Sequence, residues 1–181
     1  MKIIVAALVA GAVAAGAAVY APQDMPEFPK PVKEHEWLQQ LAGEWTAESE
    51  ITMDPTKPPM KKKGTESSRM IGGFWLQAEN KSDFMGQPFT GLLTLGYSPE
   101  KKKYIGTWID SMTSTLWTYE GTVDAGGKKL TLDSEGPGMD GKPCKFKESI
   151  EVKDKDHKVF SSAIEKDGKW VTHMTISYTR K

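Results

Sequence analysis

Leu41-Ala42-Gly43-Glu44-Trp45-Thr46-Ala47-Glu48-Ser49-Glu50 is the stretch on which the fold turns. Before it, Trp37, Leu38 and Leu41 recur at helical spacing from Lys33, and Gly43 stands where such a helix would stop. After Gly43 the period changes to two: Trp45, Ala47, Ser49, Ile51 and Met53 alternate with Thr46, Glu48, Glu50 and Thr52. A short helix running into an alternating strand predicts the start of an antiparallel sheet. Gly43 and Trp45 are then expected to be structural: Trp45 plugs one end of the sheet, and Gly43 lets the helix end pack closely.

Working outward, the loop Asp54-Pro55-Thr56-Lys57-Pro58-Pro59 ends that strand. Further strands are predicted over 62–70, 74–84, 89–97, 104–110, 115–124, 128–134, 143–154, 157–165 and 169–180. Gly72-Gly73, Met85-Gly86-Gln87-Pro88, Ser98-Pro99, Asp124-Ala125-Gly126-Gly127 and Asp167-Gly168 punctuate them. The longest irregular piece, Gly136-Pro137-Gly138-Met139-Asp140-Gly141, reads as a rim loop. Connections this short force antiparallel neighbours. About ten such strands must split into two sheets or close on themselves, and a meander of hairpins favours closure, which removes the exposed edges. The expectation is therefore all-β: an up-and-down barrel with one short N-terminal helix. A sandwich would need longer crossovers than the sequence offers.

The chain has 181 residues. Lys2 followed by Ile3-Ile4-Val5-Ala6-Ala7-Leu8-Val9 and an Ala/Gly run predicts a secretory signal over residues 1–18, in preference to an uncleaved membrane anchor. Export to the periplasm or outside the cell follows. Pro22, Pro26, Pro29 and Pro31 mark residues 19–32 as a linker, leaving 33–181 as one domain with its own core. Lys+Arg and Asp+Glu number 24 each. That balance leaves no electrostatic footprint for nucleic acid, and no membrane partner is expected once the signal is removed. A lone cysteine, Cys144, makes no internal disulfide, so the core must hold the fold.

Several segments carry a resemblance. Glu34-His35-Glu36-Trp37-Leu38 with Leu41-Ala42-Gly43-Glu44-Trp45, then Gly72-Gly73-Phe74-Trp75-Leu76, resemble the exported bacterial proteins grouped as family 1579 of the domains of unknown function. Met85-Gly86-Gln87-Pro88-Phe89-Thr90-Gly91, Trp108-Ile109-Asp110-Ser111-Met112 and the terminal Tyr178-Thr179-Arg180-Lys181 continue the match over nearly all of the mature chain. The resemblance implies a calycin-like barrel, the group of lipocalins and fatty-acid-binding proteins, and implies no activity. Phe74 departs from the family pattern, which often has a longer basic residue there.

Candidate contacts follow from strand parity. Trp108 and Asp110 share one face, as do Trp117 and Tyr119 on the next strand, so these aromatics can line a cavity with Asp110 as its polar group. The plainer alternative is core packing, with Asp110 capping the turn beyond it. Arg69, if it points inward, needs a carboxylate such as Glu79, Asp110 or Glu148, or holds a ligand anion; otherwise it is solvated. The candidate ligand contacts are thus Arg69, Trp108, Asp110, Trp117, Tyr119 and Glu148. Lys61-Lys62-Lys63 and Lys101-Lys102-Lys103 read as solvated runs flanking turns, and Asn80-Lys81-Ser82 matches a glycosylation sequon. Haem barrels resembling nitrobindin carry a histidine on the last strand, but parity sets His173 opposite Met174, Ile176 and Tyr178. An outward His173 is expected, and with no second histidine at ligand spacing, neither metal nor cofactor. No catalytic motif is present. Three readings remain: an exported barrel binding a largely apolar small molecule, a structural or interaction protein with a filled core, and an enzyme using Asp110 or Glu148 as base. The last needs an inward carboxylate of raised pKa without an Arg partner.

Overall fold

Each strand pairs with its sequence neighbours, and the last returns to the first. In the computed structural model, which describes residues 27–138 and 141–181, α1 (Lys33–Gln39) precedes ten strands. These are β1 (Gly43–Ile51), β2 (Met60–Ile71), β3 (Trp75–Phe84), β4 (Gln87–Ser98), β5 (Lys103–Asp110), β6 (Trp117–Val123), β7 (Lys129–Pro137), β8 (Pro143–Val152), β9 (His157–Lys166) and β10 (Lys169–Arg180). All neighbours are antiparallel, and β1 pairs with β10 to close the barrel. The expected signal and most of the linker lie outside the described residues. The chain divides into Met1–Lys30 and Pro31–Lys181, and the second unit is the barrel.

Register is set by matched charges outside and apolar parity inside. Glu48 faces Lys63 and Glu50 faces Lys61 across β1 and β2, with ion pairs of 3.4 and 2.8 Å. A slip of one residue would turn Trp45 to solvent and break both pairs. The first lysine run is thus part of β2, which begins at Met60, with Lys62 on the inner face. Lys101 and Lys103 both pair with Glu120, bracing the turn after β4. β7 likewise runs on to Pro137 where an irregular loop was expected. At Gly136 the missing side chain admits the Trp117 ring, which a methyl group would overlap.

α1 caps one end. Leu38 and Leu41 are fully buried against Leu76, Leu95, Leu130, Leu132 and Ile150. His35 joins them: its Nδ1 accepts the Val32 N–H at 3.0 Å and its ring meets Phe74 and Tyr97 edge-on. The last carbonyls of a helix have no partner within it; in α1 the following turn takes two of them, Leu41 N–H donating to Leu38 O (3.0 Å) and Ala42 N–H to Gln39 O (3.1 Å). For the carbonyls of that turn the barrel supplies the donors. Leu41 O accepts from Trp45 Nε1 (3.1 Å), Ser68 Oγ (2.9 Å) and Lys158 Nζ (3.2 Å); Arg180 donates to Ala42 O (2.8 Å) and Gln40 O (3.2 Å).

Trp45 is 1% exposed and does plug this floor. Its ring lies between two cations, with Arg180 Cζ 4.0 Å and Lys158 Nζ 4.3 Å from the centroid. Gly43 is required twice over: its φ of +136° disfavours a side chain, and a methyl group would strike the Arg180 guanidinium. Lys158, 4% exposed, pairs with Glu66, 5% exposed, at 2.6 Å. Tyr178 closes the group, its ring 4.9 Å from Lys158 Nζ and its hydroxyl donating to Asn80 Oδ1 at 3.3 Å. Asn80 therefore faces the barrel interior, where a glycan cannot be attached.

Removing one member of a buried ion pair strands the other charge, whereas replacing both with apolar groups of similar volume is often neutral or better. Glu66→Gln and Lys158→Met are each expected to cost about 3–5 kcal/mol in urea denaturation, and Glu66→Leu with Lys158→Met much less than their sum. Additive losses in the double variant would show that the pair is not the coupled unit.

Candidate functional site

The two ends of the barrel differ in how their inner walls are filled. At the α1 end the inner residues Trp45, Leu76, Ala78, Leu95 and Leu132 are sealed from water. Toward the other end, Ala47, Leu93, Trp108, Trp117, Glu148, Phe160 and Ile176 share the inner face yet are only partly buried. The barrel is packed at its floor and less tightly covered toward its mouth. The mouth itself is ringed by exposed Met53, Met85, Met112, Leu116, Trp170 and Val171.

One side of the lumen is aromatic. Trp117 meets Phe146 edge-on at 5.0 Å, Phe146 meets His173 at 6.2 Å, and Trp108 stacks with Phe89 at 6.3 Å. Set into it is a polar cluster. Register places Glu148 beside Ser162 on β9 and Leu132 on β7, with Ser134 beside Phe146. The Tyr119 hydroxyl and Ser162 Oγ (3.4 Å) donate to Glu148, and His173 Nε2 lies 3.0 Å from Ser162 Oγ. With the one Ser162 proton directed to Glu148, His173 Nε2–H donates to Ser162.

His173 reaches the lumen through a break in parity. The register between β10 and β9 shifts between Thr172 and Met174, and this bulge turns His173 inward although Met174, Ile176 and Tyr178 also line the interior. The outward position expected from alternation is corrected. Burial holds its imidazole below the ordinary histidine range. Burial also raises the Glu148 carboxyl to about 7, the two hydroxyl donors opposing the shift, and pushes Tyr119 far above the usual phenol range. Ser134 Oγ, in a residue 6% exposed, has no hydrogen-bond partner among the described residues.

Of the residues singled out in the sequence, Trp108, Asp110, Trp117, Tyr119 and Glu148 all stand on the inner wall. Asp110 is engaged with its own turn, accepting from Met112 N (2.8 Å), Thr113 N (2.9 Å) and Trp108 Nε1 (3.0 Å). Arg69 does not join them: it is exposed on the outer face, donating to Gln77 Oε1 at 3.0 Å, because its β2 parity is opposite to that of Glu66, Ser68 and Met70. Ser134, Ser162, Lys158 and Glu66 were missed. Lys158 and Ser162 share parity with Phe160, which was a readable sign.

A concavity of about 1050 Å³ lies on the outer wall, lined by Trp75, Thr94, Ile105, Thr107, Thr118 and Glu120 among others. It deepens where β6 and β7 part. Their ladder spans only Glu120↔Asp133 to Val123↔Leu130, and Tyr119, Ser134 and Phe146 contribute to the lining there.

Ten meandering antiparallel strands closed on themselves, with a capping helix and a Trp–Arg floor, define an up-and-down β-barrel. The chain belongs to the family described as "Protein of unknown function (DUF1579)", which matches residues 30–180. Among solved structures it is similar to Rv2717c from M. tuberculosis, at 15% identity and a TM-score of 0.60, covering 84% of this chain and 99% of that one. It is also similar to the S-type phycobiliprotein lyase CPES from Guillardia theta, at 12% identity and a TM-score of 0.57, covering 83% and 93%. Identities this low show the fold alone. No curated protein matches the chain.

The carboxyl of Glu148 gives a signed test. Its folded pKa of about 7 exceeds the ordinary 4.5, so its contribution to stability is complete below about 4.5 and is lost as pH rises through about 7. His173, held low, works in the opposite direction, its contribution being lost as pH falls below the ordinary 6.5. Glu148→Gln removes the first effect and keeps the second. Urea denaturation at pH 5 and pH 8 should show the wild type losing more stability than Glu148→Gln on going to pH 8, by on the order of 1–3 kcal/mol. An equal or smaller loss in the wild type would contradict the buried-acid assignment.

Proposed function

We propose that the protein is a small-molecule-binding barrel working outside the cytoplasm, and that its ligand is flat, largely apolar and carries one polar edge. The observation that carries this is the partly exposed aromatic inner wall around Trp108, Trp117 and Phe160, above a floor that is sealed. Aromatic faces that the barrel's own side chains do not cover are surfaces another molecule can use, and they favour planar partners. Glu148, Tyr119, Ser134, Ser162 and His173 supply hydrogen bonds of both senses without a fixed charge pair, suiting an uncharged polar edge. The exposed methionines at the mouth give an apolar ligand a path in. The signal-like N-terminus supports export to the periplasm or beyond.

Native mass spectrometry of protein purified from its own host tests the reading directly. The expected spectrum has a discrete mass excess that disappears on denaturation. As a second measurement, Nile red should bind with enhanced emission, and Trp117→Ala with Trp108→Ala should weaken it about tenfold or more, while Arg69→Ala changes nothing. A bare mass together with no Nile red uptake would overturn the proposal.

A further inference from the structure

Among the described residues three carboxylates face the barrel interior, and each is treated differently. Glu66 has Lys158 at 2.6 Å. Asp110 is occupied by two backbone amides and an indole. Glu148 has only hydroxyl donors, Tyr119 and Ser162, and no cation in ion-pair contact among the described residues. Diagonal to it on β7 is Ser134, whose Oγ has no partner among the described residues. Ser134 faces Phe146 and Glu148 faces Leu132, so the two lie diagonally across adjacent strands, about 7–8 Å apart at the backbone. The rings of Trp117 and Phe146 stand beside them.

We propose that the lumen catalyses proton transfer at carbon, with Glu148 as the base and the free Ser134 hydroxyl as donor to the oxygen on which charge develops. The substrate class is a flat carbon acid, such as an enolisable unsaturated ketone. The C–H bond breaks toward a Glu148 oxygen, its electron pair forms the enolate double bond, and the carbonyl pair moves to oxygen beside Ser134. Return of the proton to a different carbon completes an isomerisation with no net oxidation and no cofactor. Tyr119 and the His173–Ser162 relay position the carboxylate, since each touches Glu148 or its partner and not the reacting carbon. The activity rests on the ligand-binding reading.

The groups around Glu148 do not neutralise it. Leu132 faces it from β7 with Ser134 on the diagonal, Ser162 faces it from β9, Tyr119 from β6 and His173 through Ser162 from β10. Asp110 stands beyond Tyr119, Lys158 is held by Glu66 at the floor, and Lys62 lies on the inner face of β2. A carboxyl raised to about 7 by burial is a stronger base than an exposed one once ionised.

The test uses 5-nitrobenzisoxazole, a flat carbon acid. A base removes its ring C–H, the N–O bond breaks as the nitrile forms, and the coloured phenolate is read by absorbance. Its unreactive isostere 6-nitrobenzotriazole reports binding through tryptophan fluorescence. The full-length protein should exceed acetate at equal carboxylate concentration by about 100-fold or more, with a rate that rises through pH 7. Glu148→Gln should abolish that excess while binding the benzotriazole within about tenfold of wild type, and Ser134→Ala should lose about tenfold or more in rate. Should Glu148→Gln fail to fold, Glu148→Asp withdraws the base by one methylene and should lower the rate with binding retained. Binding without acceleration, or full activity in the Glu148 variants, overturns the activity and leaves the ligand-binding reading intact. Absence of benzotriazole binding to the wild type overturns both.

Discussion

The carbonyl of Leu41 is the point on which the structure depends. A seven-residue helix has too few internal bonds to stand alone, and the carbonyls of the turn that ends it are pushed into the end of a barrel. Buried without donors, each would cost of the order of 1–3 kcal/mol. The donors come from β1, β2, β9 and β10, which are the strands that must meet for the barrel to close. Satisfying the helix end and closing the sheet are therefore one event. Cations at the negative end of the helix dipole add to the same arrangement, and Trp45 between Lys158 and Arg180 fills the space the two side chains would otherwise leave.

That solution consumes the charge available at the floor and leaves the lumen differently composed. On β9, Lys158 and Ser162 share the inner face four residues apart, about 13 Å along the strand. Lys158 spends its ammonium on Leu41 O and Glu66, downward; Ser162 serves Glu148, upward. One strand thus carries both the charge that stabilises the container and the hydroxyl that organises its contents. The floor obeys the rule that buried charge is paired, and the lumen departs from it at Glu148 and Ser134. Departures of this kind are expected where function, not stability, fixes the residue.

Most of the architecture could be read from alternation and turn residues, because strand period and short connections leave few topologies open. Ends were less legible: β2 starts early at Met60 because Lys61 and Lys63 have Glu50 and Glu48 opposite them, a tertiary fact with no local signal. β7 outlasts its expected stop because Trp117 needs the space at Gly136. The inner wall was half legible. Trp108, Trp117 and Tyr119 follow from parity; Glu148 entered as a carboxylate that an inward Arg69 would need, and Arg69 itself, next to the inward Met70, stands on the opposite face. His173 was misassigned for a physical reason. A bulge adds one residue to a strand, and every parity argument that crosses it changes sign. The pairing of Lys158 with Glu66 joins residues 92 apart in sequence, which no local pattern encodes.

The placement of Glu148 is what separates the lumen from ordinary core. A carboxyl at that depth is costly as an anion unless a cation or several amides hold it. The barrel has the means to provide one, since Lys158 stands on the adjacent strand and the same face. Its reach is committed to the floor, where the helix end and the Trp45 ring require it. Hydroxyls from Tyr119 and Ser162 remain, and these hydrogen-bond a carboxyl in either protonation state without fixing it in one. The outcome is a group that exchanges its proton near neutral pH, faces a partly exposed aromatic wall, and lies diagonal to a hydroxyl with no partner among the described residues. A side chain selected only to fill that space would be apolar, as Leu132 and Ile150 are on either side of it.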